Sequence, residues 1–585
     1  MIACVVVLAA CTTNGGTEVP VLWLGTQPDG SLASGVLPVS VAVTQAGSGP
    51  LAVDLSGLER TGEAWHAAAW SAAAVGVLLT ARLPEGVTVS MGVDESIDGP
   101  SGGAAMAVGV LAQLESVTLL PGTTVTGTVQ PSGAIGPVGG IPEKVRAAAA
   151  HGISTVLIPA GQRVAGDPRT SSDVDTVALG LSLGVDVVEV SSLATALSLM
   201  SGGAVDWSTS APLGMSASVT AFLSAETDRT LARLRQVALH PSPTLALDSE
   251  RRRVQSGIDS ASARVPVLTA AGDVATAYAR ATLAEREAAA WNAEAQAVAA
   301  ARLDLEPARE KVVAQCGAVA ESAAAALMAA ASTETPRVEQ AVALPDALTW
   351  AVDAEASATR ARQDAAGSSS PLEIGMAAAD AARAGYAVTR YLPTALGVLA
   401  RTGNRATPPG IDTQLDGYTA LLVQSGEAVT AALALAGPAS GDEPALAGYL
   451  YGGWSLGSAP PLTGAAARSL AAAMAWYVST ATIAAEAEAT SALPARLGTR
   501  RSITRPDLFA TQVAVADEQL VHLGSGIVAD GLDPSYLAWG GAWGRAAATA
   551  PDSTSAPDDL RIEGLQYQWY ATIQAAALRA ITRSQ

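Results

Sequence analysis

Lysine is almost missing from this chain. Its 585 residues contain two, Lys144 and Lys311, and arginine carries the rest of the positive charge. Even so, 34 basic residues face 54 acidic ones, a formal net charge of −20. Nucleic-acid binding needs clustered cations to neutralise phosphates. The one short cluster, "SERRR" at 249–253, sits among acids, so no nucleic-acid partner is expected. Both lysines stand between Glu and Val. A phosphate-binding loop needs Gly-Lys-Ser or Gly-Lys-Thr, so these residues contain none and no ATP site is expected. Cys4, Cys11 and Cys316 are too few and too widely spaced for a disulfide framework or a zinc site. His66, His151, His240 and His522 are scattered, without HExxH spacing. No metal and no cofactor are expected.

What is present is a globular composition, 49% apolar and 15% charged, in a chain too long for one ordinary core. The N-terminus reads "MIACVVVLAACTTNGG". The apolar run ending Leu8-Ala9-Ala10-Cys11 resembles the lipobox of bacterial lipoproteins, in which the Cys is lipidated. No Lys or Arg precedes the run, and it is shorter than a usual signal core. The expectation is an exported protein held to the cell envelope through a lipid on Cys11. No later stretch reaches the ~18 uninterrupted apolar residues of a spanning helix. The nearest, 469–485, reads as a buried helix.

Two regions differ in character. Residues 20–203 alternate strand-like runs with helical stretches. The strands are expected at 19–24, 36–43, 51–55, 86–91, 123–129, 154–159 and 185–190, where β-branched residues dominate. Helices are expected near 62–82, 101–116, 142–151 and 192–202, giving a layered α+β domain with a mixed sheet. Residues 1–19 form a leader and short linker, and 204–218 a second linker. Residues 219–585 are Ala-rich and nearly free of strand signals, an all-helical domain. Ser370-Pro371-Leu372-Glu373 marks one of its helix starts. "YLYGGW" (449–454) and "YLAWGGAW" (536–543), each followed by a Trp-Tyr pair, suggest a diverged repeat that seals helix packing.

The chemistry-bearing stretch is "IDGPSGGAAMAVG" (97–109). Asp, Gly, Pro and Ser suit a tight turn opening a helix. Such a turn also exposes a serine where free backbone N–H groups can hold an oxyanion. Downstream, one of the two lysines lies in "PVGGIPEK" (137–144), within "TGTVQPSGAIGPVGGIPEKVRAAAAHGISTVLIP" (126–159). Serine–lysine pairs are an alternative to serine–histidine. A lysine, unlike an arginine, becomes a neutral base when apolar burial lowers its pKa from ~10.4. Val138, Ile141 and Val145 are candidates for that apolar wall.

These segments together resemble the proteolytic domain of Lon proteases. The family pattern is Asp-Gly-Pro-Ser-Ala-Gly, then Thr-Gly, then Gly-Gly-hydrophobe-x-Glu-Lys, then a Gly-Ile-x-x-Val-hydrophobe-x-Pro strand. Ser101 and Lys144 stand 43 residues apart, matching the family without a gap. "GLERTGEAWHAAAWSAA" (57–73) is similar to the family's first helix, and the resemblance spans about 20–203. It implies that Ser101 is the nucleophile and Lys144 the base. It further implies that Thr126 orients Lys144, that Asp98 shapes the serine loop, and that Ser101 and Gly102 supply oxyanion N–H groups. Glu63 stands where the family has a Glu in its first helix. Two features depart from the pattern. Val87, Val89 and Met91 lie where the family often carries His, and Thr128 replaces a common Glu.

Lon enzymes usually place an ATPase motor before this domain. The layout here instead resembles the ATP-independent, secreted Lon-like proteins. The expected activity is serine endopeptidase action on unfolded proteins or peptides, without ATP. The family also makes a homo-oligomer plausible. Two other readings stand beside it: a catalytically silent scaffold that binds peptides or partners through the helical domain, and a protein that cuts its own chain once.

Overall fold

The computed structural model describes residues 16–27, 29–45, 49–57, 61–95, 97–207, 213–436, 466–490, 503, 505–549 and 558–584. Cys4, Cys11 and "YLYGGW" lie outside the described residues, as do parts of both linkers. Two compact units divide the rest. The first holds the described residues up to Gly76, Gly86–Val129 and Pro137–Asp206. The second holds Val77–Glu85, Gln130–Gly136 and the described residues from Trp207 onward.

In the first unit, β1 (Thr17–Thr26), β2 (Leu32–Gln45), β3 (Ala52–Gly57) and β4 (Val87–Gly92) form a mixed sheet ordered β1-β2-β4-β3. The β1–β2 and β2–β4 pairs are antiparallel, and β3–β4 is parallel. Pro20, which has no N–H to give a ladder, sits on the edge strand β1. In β4 the side chains alternate, so Val87, Val89 and Met91 all enter the core. The positions at which the family often carries His are thus packing positions here.

A second, wholly parallel sheet takes β5 (Thr123–Val125), β8 (Thr155–Pro159) and β11 (Asp186–Val190) in the order β11-β8-β5. Parallel neighbours need crossovers. Helix α3 (Ile141–Ala150) lies between β5 and β8, and α4 (Thr176–Leu183) between β8 and β11. Helices α1 (Glu63–Leu79), α2 (Gly103–Glu115) and α5 (Leu193–Met200) complete the layers.

Three features differ from the sequence reading. The run 123–129 is not one strand: it breaks after Val125 and resumes as β6 (Thr128–Val129), which belongs with β7 (Ile135–Gly136). A polar hairpin, β9 (Val164–Asp167) with β10 (Ser172–Asp175), and the eight-residue α4 both occupy a stretch that carried no expected element.

The second unit is helical, with twelve α-helices among its described residues: α6 (Ala217–Leu234), α7 (Asp248–Ala270), α8 (Val274–Leu303), α9 (Leu305–Ala330), α10 (Val338–Gly367), α11 (Pro371–Tyr386), α12 (Leu392–Leu399), α13 (Ile411–Ala436), α14 (Ala466–Thr490), α15 (Pro506–Ala529), α16 (Ser535–Ala548) and α17 (Asp558–Arg583). The Ser370 hydroxyl caps α11 through the Leu372 N–H at 3.2 Å. The 469–485 stretch is a buried part of α14. Among the described residues, α9 alone has the length and composition to cross a membrane, and Lys311 lies on its exposed side.

The Gly-aromatic stretch 536–543 is part of α16, with Tyr536, Trp539 and Trp543 all buried. The partner helix α17 comes so close that a Cβ on Gly544 would lie 2.8 Å from the Gly564 carbonyl oxygen. Around these helices runs a buried polar chain. Arg286 grips Glu563 at 2.6 and 2.8 Å, Arg383 grips Glu287, and Asp353 accepts from the Tyr570 hydroxyl at 3.3 Å.

Candidate active site

Ser101 lies in a one-turn 3-10 segment, Pro100–Gly102, that runs into α2. Its residue is half-buried, whereas Gly102 and Gly103 are buried. The turn begins at Asp98, whose carboxylate accepts from the Gly99 N–H at 2.7 Å and from the Trp65 N–H at 3.3 Å. Asp98 therefore joins the serine turn to the first turn of α1. A Cβ on Gly102 would lie 2.7 Å from Trp65 Cζ3, 2.8 Å from Cη2 and 3.2 Å from Val21 Cγ1. The indole fills the space that the Ala of the family pattern needs, which accounts for Gly at this position.

Lys144 comes from α3, whose start is fixed by Gly140. That residue holds φ +69°, a left-handed value that side chains resist, and a Cβ there would meet Leu24 Cδ2 at 2.2 Å. Gly140 then accepts the Lys144 N–H through its carbonyl at 3.1 Å. Ile141 and Val145 belong to an apolar cluster with Leu22, Val156 and Ile158, and Val138 packs against it. Lys144 is 2% exposed. Burial pushes its ammonium down to about 8, because the charged form loses hydration without a carboxylate to replace it.

Thr126 joins the two. Having left the β5 ladder, it keeps one strand-like bond, its N–H to the Leu157 carbonyl at 3.0 Å. The next residue turns to the serine segment: Gly127 N–H donates to Ser101 O, and Ala104 N–H to Gly127 O, both at 3.0 Å. The Thr126 hydroxyl donates to Ser101 O at 3.3 Å and accepts from Lys144 Nζ at 3.1 Å. Among the described residues, Thr126 is the one hydrogen-bond partner of Nζ, and the Ser101 hydroxyl has no direct bond to it.

Glu63 stands apart from this cluster of contacts. It opens α1 in a half-exposed position, 3.8 Å from His66 Nδ1. Gln162 gave no sequence signal, and neither did the partners of Glu143. Gln162 pairs with the backbone of Val138 as a strand would, accepting its N–H at 2.8 Å and donating to its carbonyl at 2.9 Å. Glu143, beside Lys144 and 1% exposed, is paired with Arg146 and with Arg169 at 2.7 Å. Arg146 also binds Asp167 at 2.6 Å and holds that carboxyl below the usual range. These pairs fasten the β9–β10 hairpin to the helix that carries Lys144. Among the described residues no cluster of His, Cys, Asp and Glu has the make-up of a metal site.

The family model of the Lon protease (S16) C-terminal proteolytic domain matches residues 83–172, which contain Ser101, Thr126 and Lys144. The Lon protease of Phenylobacterium zucineum (strain HLK1) is 46% identical over 66 residues, 11% of this chain and 8% of that protein. Lon protease 2 of Bacillus subtilis (strain 168) is 36% identical over 63 residues, 11% of each. The Lon protease of Neorickettsia sennetsu (strain ATCC VR-367 / Miyayama) is 29% identical over a longer stretch of 116 residues, 20% of this chain and 12% of that protein. The chain thus spans about a tenth of the length of the curated relatives it matches. Residues 83–172, with their serine turn and buried lysine, match the proteolytic domain of the Lon protease type.

Proposed function

We propose that this chain is an ATP-independent Lon-like serine endopeptidase of the cell envelope, acting on unfolded proteins or peptides through Ser101 and Lys144. The observation that carries this reading is the buried Lys144 amine, held at about 8 and bonded to the hydroxyl that also binds the Ser101 carbonyl. Thr126 has one hydroxyl hydrogen, and Ser101 O receives it. Toward Lys144 the hydroxyl therefore acts as acceptor. It takes an N–H and leaves the lone pair of the neutral amine for the serine proton.

The steps follow from those roles. Ser101 Oγ bonds to the peptide carbonyl carbon as Lys144 Nζ takes the Oγ proton. The negative oxygen is held by backbone N–H groups of Ser101 and Gly102 at the entry to α2. Lys144 then passes its proton to the leaving amine, and water releases the acyl group by the reverse relay. Asp98 and Thr126 hold the turn and the base in place. Glu63 takes no part in these steps.

Independence from ATP is supported by the lack of a Gly-Lys-Ser or Gly-Lys-Thr sequence in these residues. An enzyme acting without ATP takes substrates that are already unfolded. The envelope location rests on Leu8-Ala9-Ala10-Cys11, and it predicts a lipid-bearing protein that Cys11→Ser converts to a water-soluble one.

The direct test is casein hydrolysis without nucleotide by wild type, Ser101→Ala and Lys144→Ala. Cleavage by wild type alone, with each variant reduced at least ~1000-fold, is expected. Equal inactivity of all three, with each protein folded, would instead favour a binding scaffold. A single internal cut lost in Ser101→Ala would identify self-processing.

A further inference from the structure

We propose that Trp65 is a positioning residue for the nucleophile, holding the serine turn on both sides of Ser101. The inference rests on the proteolytic reading of that turn. Three residues before Ser101, Asp98 accepts the Trp65 backbone N–H at 3.3 Å. One residue after it, Gly102 lies against the far edge of the Trp65 ring, with Cζ3 and Cη2 at 2.7 and 2.8 Å from the place a Cβ would occupy. Gly62 adds a backbone bond to Ile97 O at 3.1 Å, and a Cβ on Gly62 would strike the Asp98 carboxylate. The start of α1, with Gly62 just before it, is therefore fitted to residues 97–102 at three points, and Trp65 supplies two of them.

The fit is one of size. Trp65 is 1% exposed, so its ring cannot swing into solvent to admit a methyl group at 102. Val21 Cγ1 also stands 3.2 Å from the same point. Gly102 is also one of the two residues whose N–H groups meet the oxyanion in the proposed reaction. A ring that fixes the plane of that residue fixes the direction of its N–H, and misdirected donors cost catalysis more than binding. Trp65 acts through the turn and does not touch substrate.

A size-swap cycle tests this. Trp65→Phe keeps the backbone N–H and an aromatic ring but removes the outer carbons that approach Gly102. The full chain is compared as wild type, Trp65→Phe, Gly102→Ala and the double variant, with Ser101→Ala as blank. The measurements are casein kcat and KM, fluorophosphonate labelling of Ser101 by mass spectrometry, and melting temperature. Gly102→Ala is expected to lower kcat and labelling by roughly 10-fold or more with KM little changed, and Trp65→Phe by roughly 3-fold. The double variant should return to within about 3-fold of wild type, since the phenyl ring leaves room for the methyl group. If Gly102→Ala fails to fold while the double variant folds, the clash is supported directly. Losses that multiply, or a Gly102→Ala protein that reacts like wild type, would overturn the inference. If wild type matches Ser101→Ala in every reactivity assay, the proteolytic reading fails and positioning of a nucleophile fails with it. Rescue of the Gly102→Ala melting temperature by Trp65→Phe would then leave only the packing contact.

Discussion

At the scale of single residues, Lys144 is a buried amine that the fold holds at a cost in stability. Its amine is buried beside Thr126 with no carboxylate partner among the described residues, and its value falls from 10.5 to about 8. A lowered lysine value means that the folded state sheds its proton before the unfolded chain does. The folded state is therefore disfavoured while the amine is charged. Its relative stability rises as pH climbs from about 8 towards 10.5. The same shift fixes the pH dependence of the proposed base. The kcat/KM for casein should rise through about pH 8 and level off above it, because the neutral amine is the active form. Lys144→Met should abolish cleavage and yet raise stability at pH 7 by up to about 3 kcal/mol, read as a higher urea midpoint. A less stable Lys144→Met protein would mean that the charged amine is welcome in its site, contrary to this account.

At the scale of elements, the β9–β10 hairpin and α3 behave as one piece because Arg146 and Arg169 bind across to Glu143 and Asp167. Removing one partner of a buried ion pair leaves a charge without water or counter-ion, at a cost of about 3–5 kcal/mol. Arg146→Met should show a loss of that order in urea unfolding, and adding Asp167→Leu should recover much of it. An Arg146→Met variant as stable as wild type would show the clamp to be ornamental. The serine turn and the lysine helix were legible in the sequence, because Ser101 and Lys144 each sit in a short motif of uncommon residues. So were most strands of the first unit, whose β-branched runs have clear turn residues at their ends. The break at Thr126 was not legible. Every residue from Thr123 to Val129 except Gly127 favours a strand, and the departure is set by Ser101, 25 residues away. The hairpin was hidden by polar strands, "VAGD" and "SDVD", and α4 by its short length and internal Gly180. Gln162 and Trp65 gave no signal, since each acts on a backbone far off in the sequence. Asp98 and Glu63 look alike in sequence, yet one ties two elements together and the other faces His66 at the surface.

At the scale of the whole molecule, the helical unit has a pH response of its own. Burial pushes the Asp346 and Asp353 carboxyls up to about 7, so both keep their protons in the folded state where the unfolded chain has lost them. Their neutral forms favour folding fully below about 4, and this advantage is lost as pH rises to about 7. Glu287 works in the opposite sense. Burial alone would raise it, but Arg383 and Arg286 outweigh that and hold it at about 2, a contribution lost only as pH falls below 4.5. The helical signal at 222 nm should accordingly melt at its highest temperature near pH 5 and about 5 °C or more lower at pH 8. A flat or rising melting temperature across that range would show the two aspartates to be charged in the fold. A last consequence follows from the exposed Lys311 on α9 and the enclosed Lys144. Among side chains, an amine-reactive dye or an activated resin meets a single ready target on the folded protein. Ordinary bioconjugation thus becomes a one-address chemistry, attaching the molecule through its helical unit and leaving the serine turn unmodified.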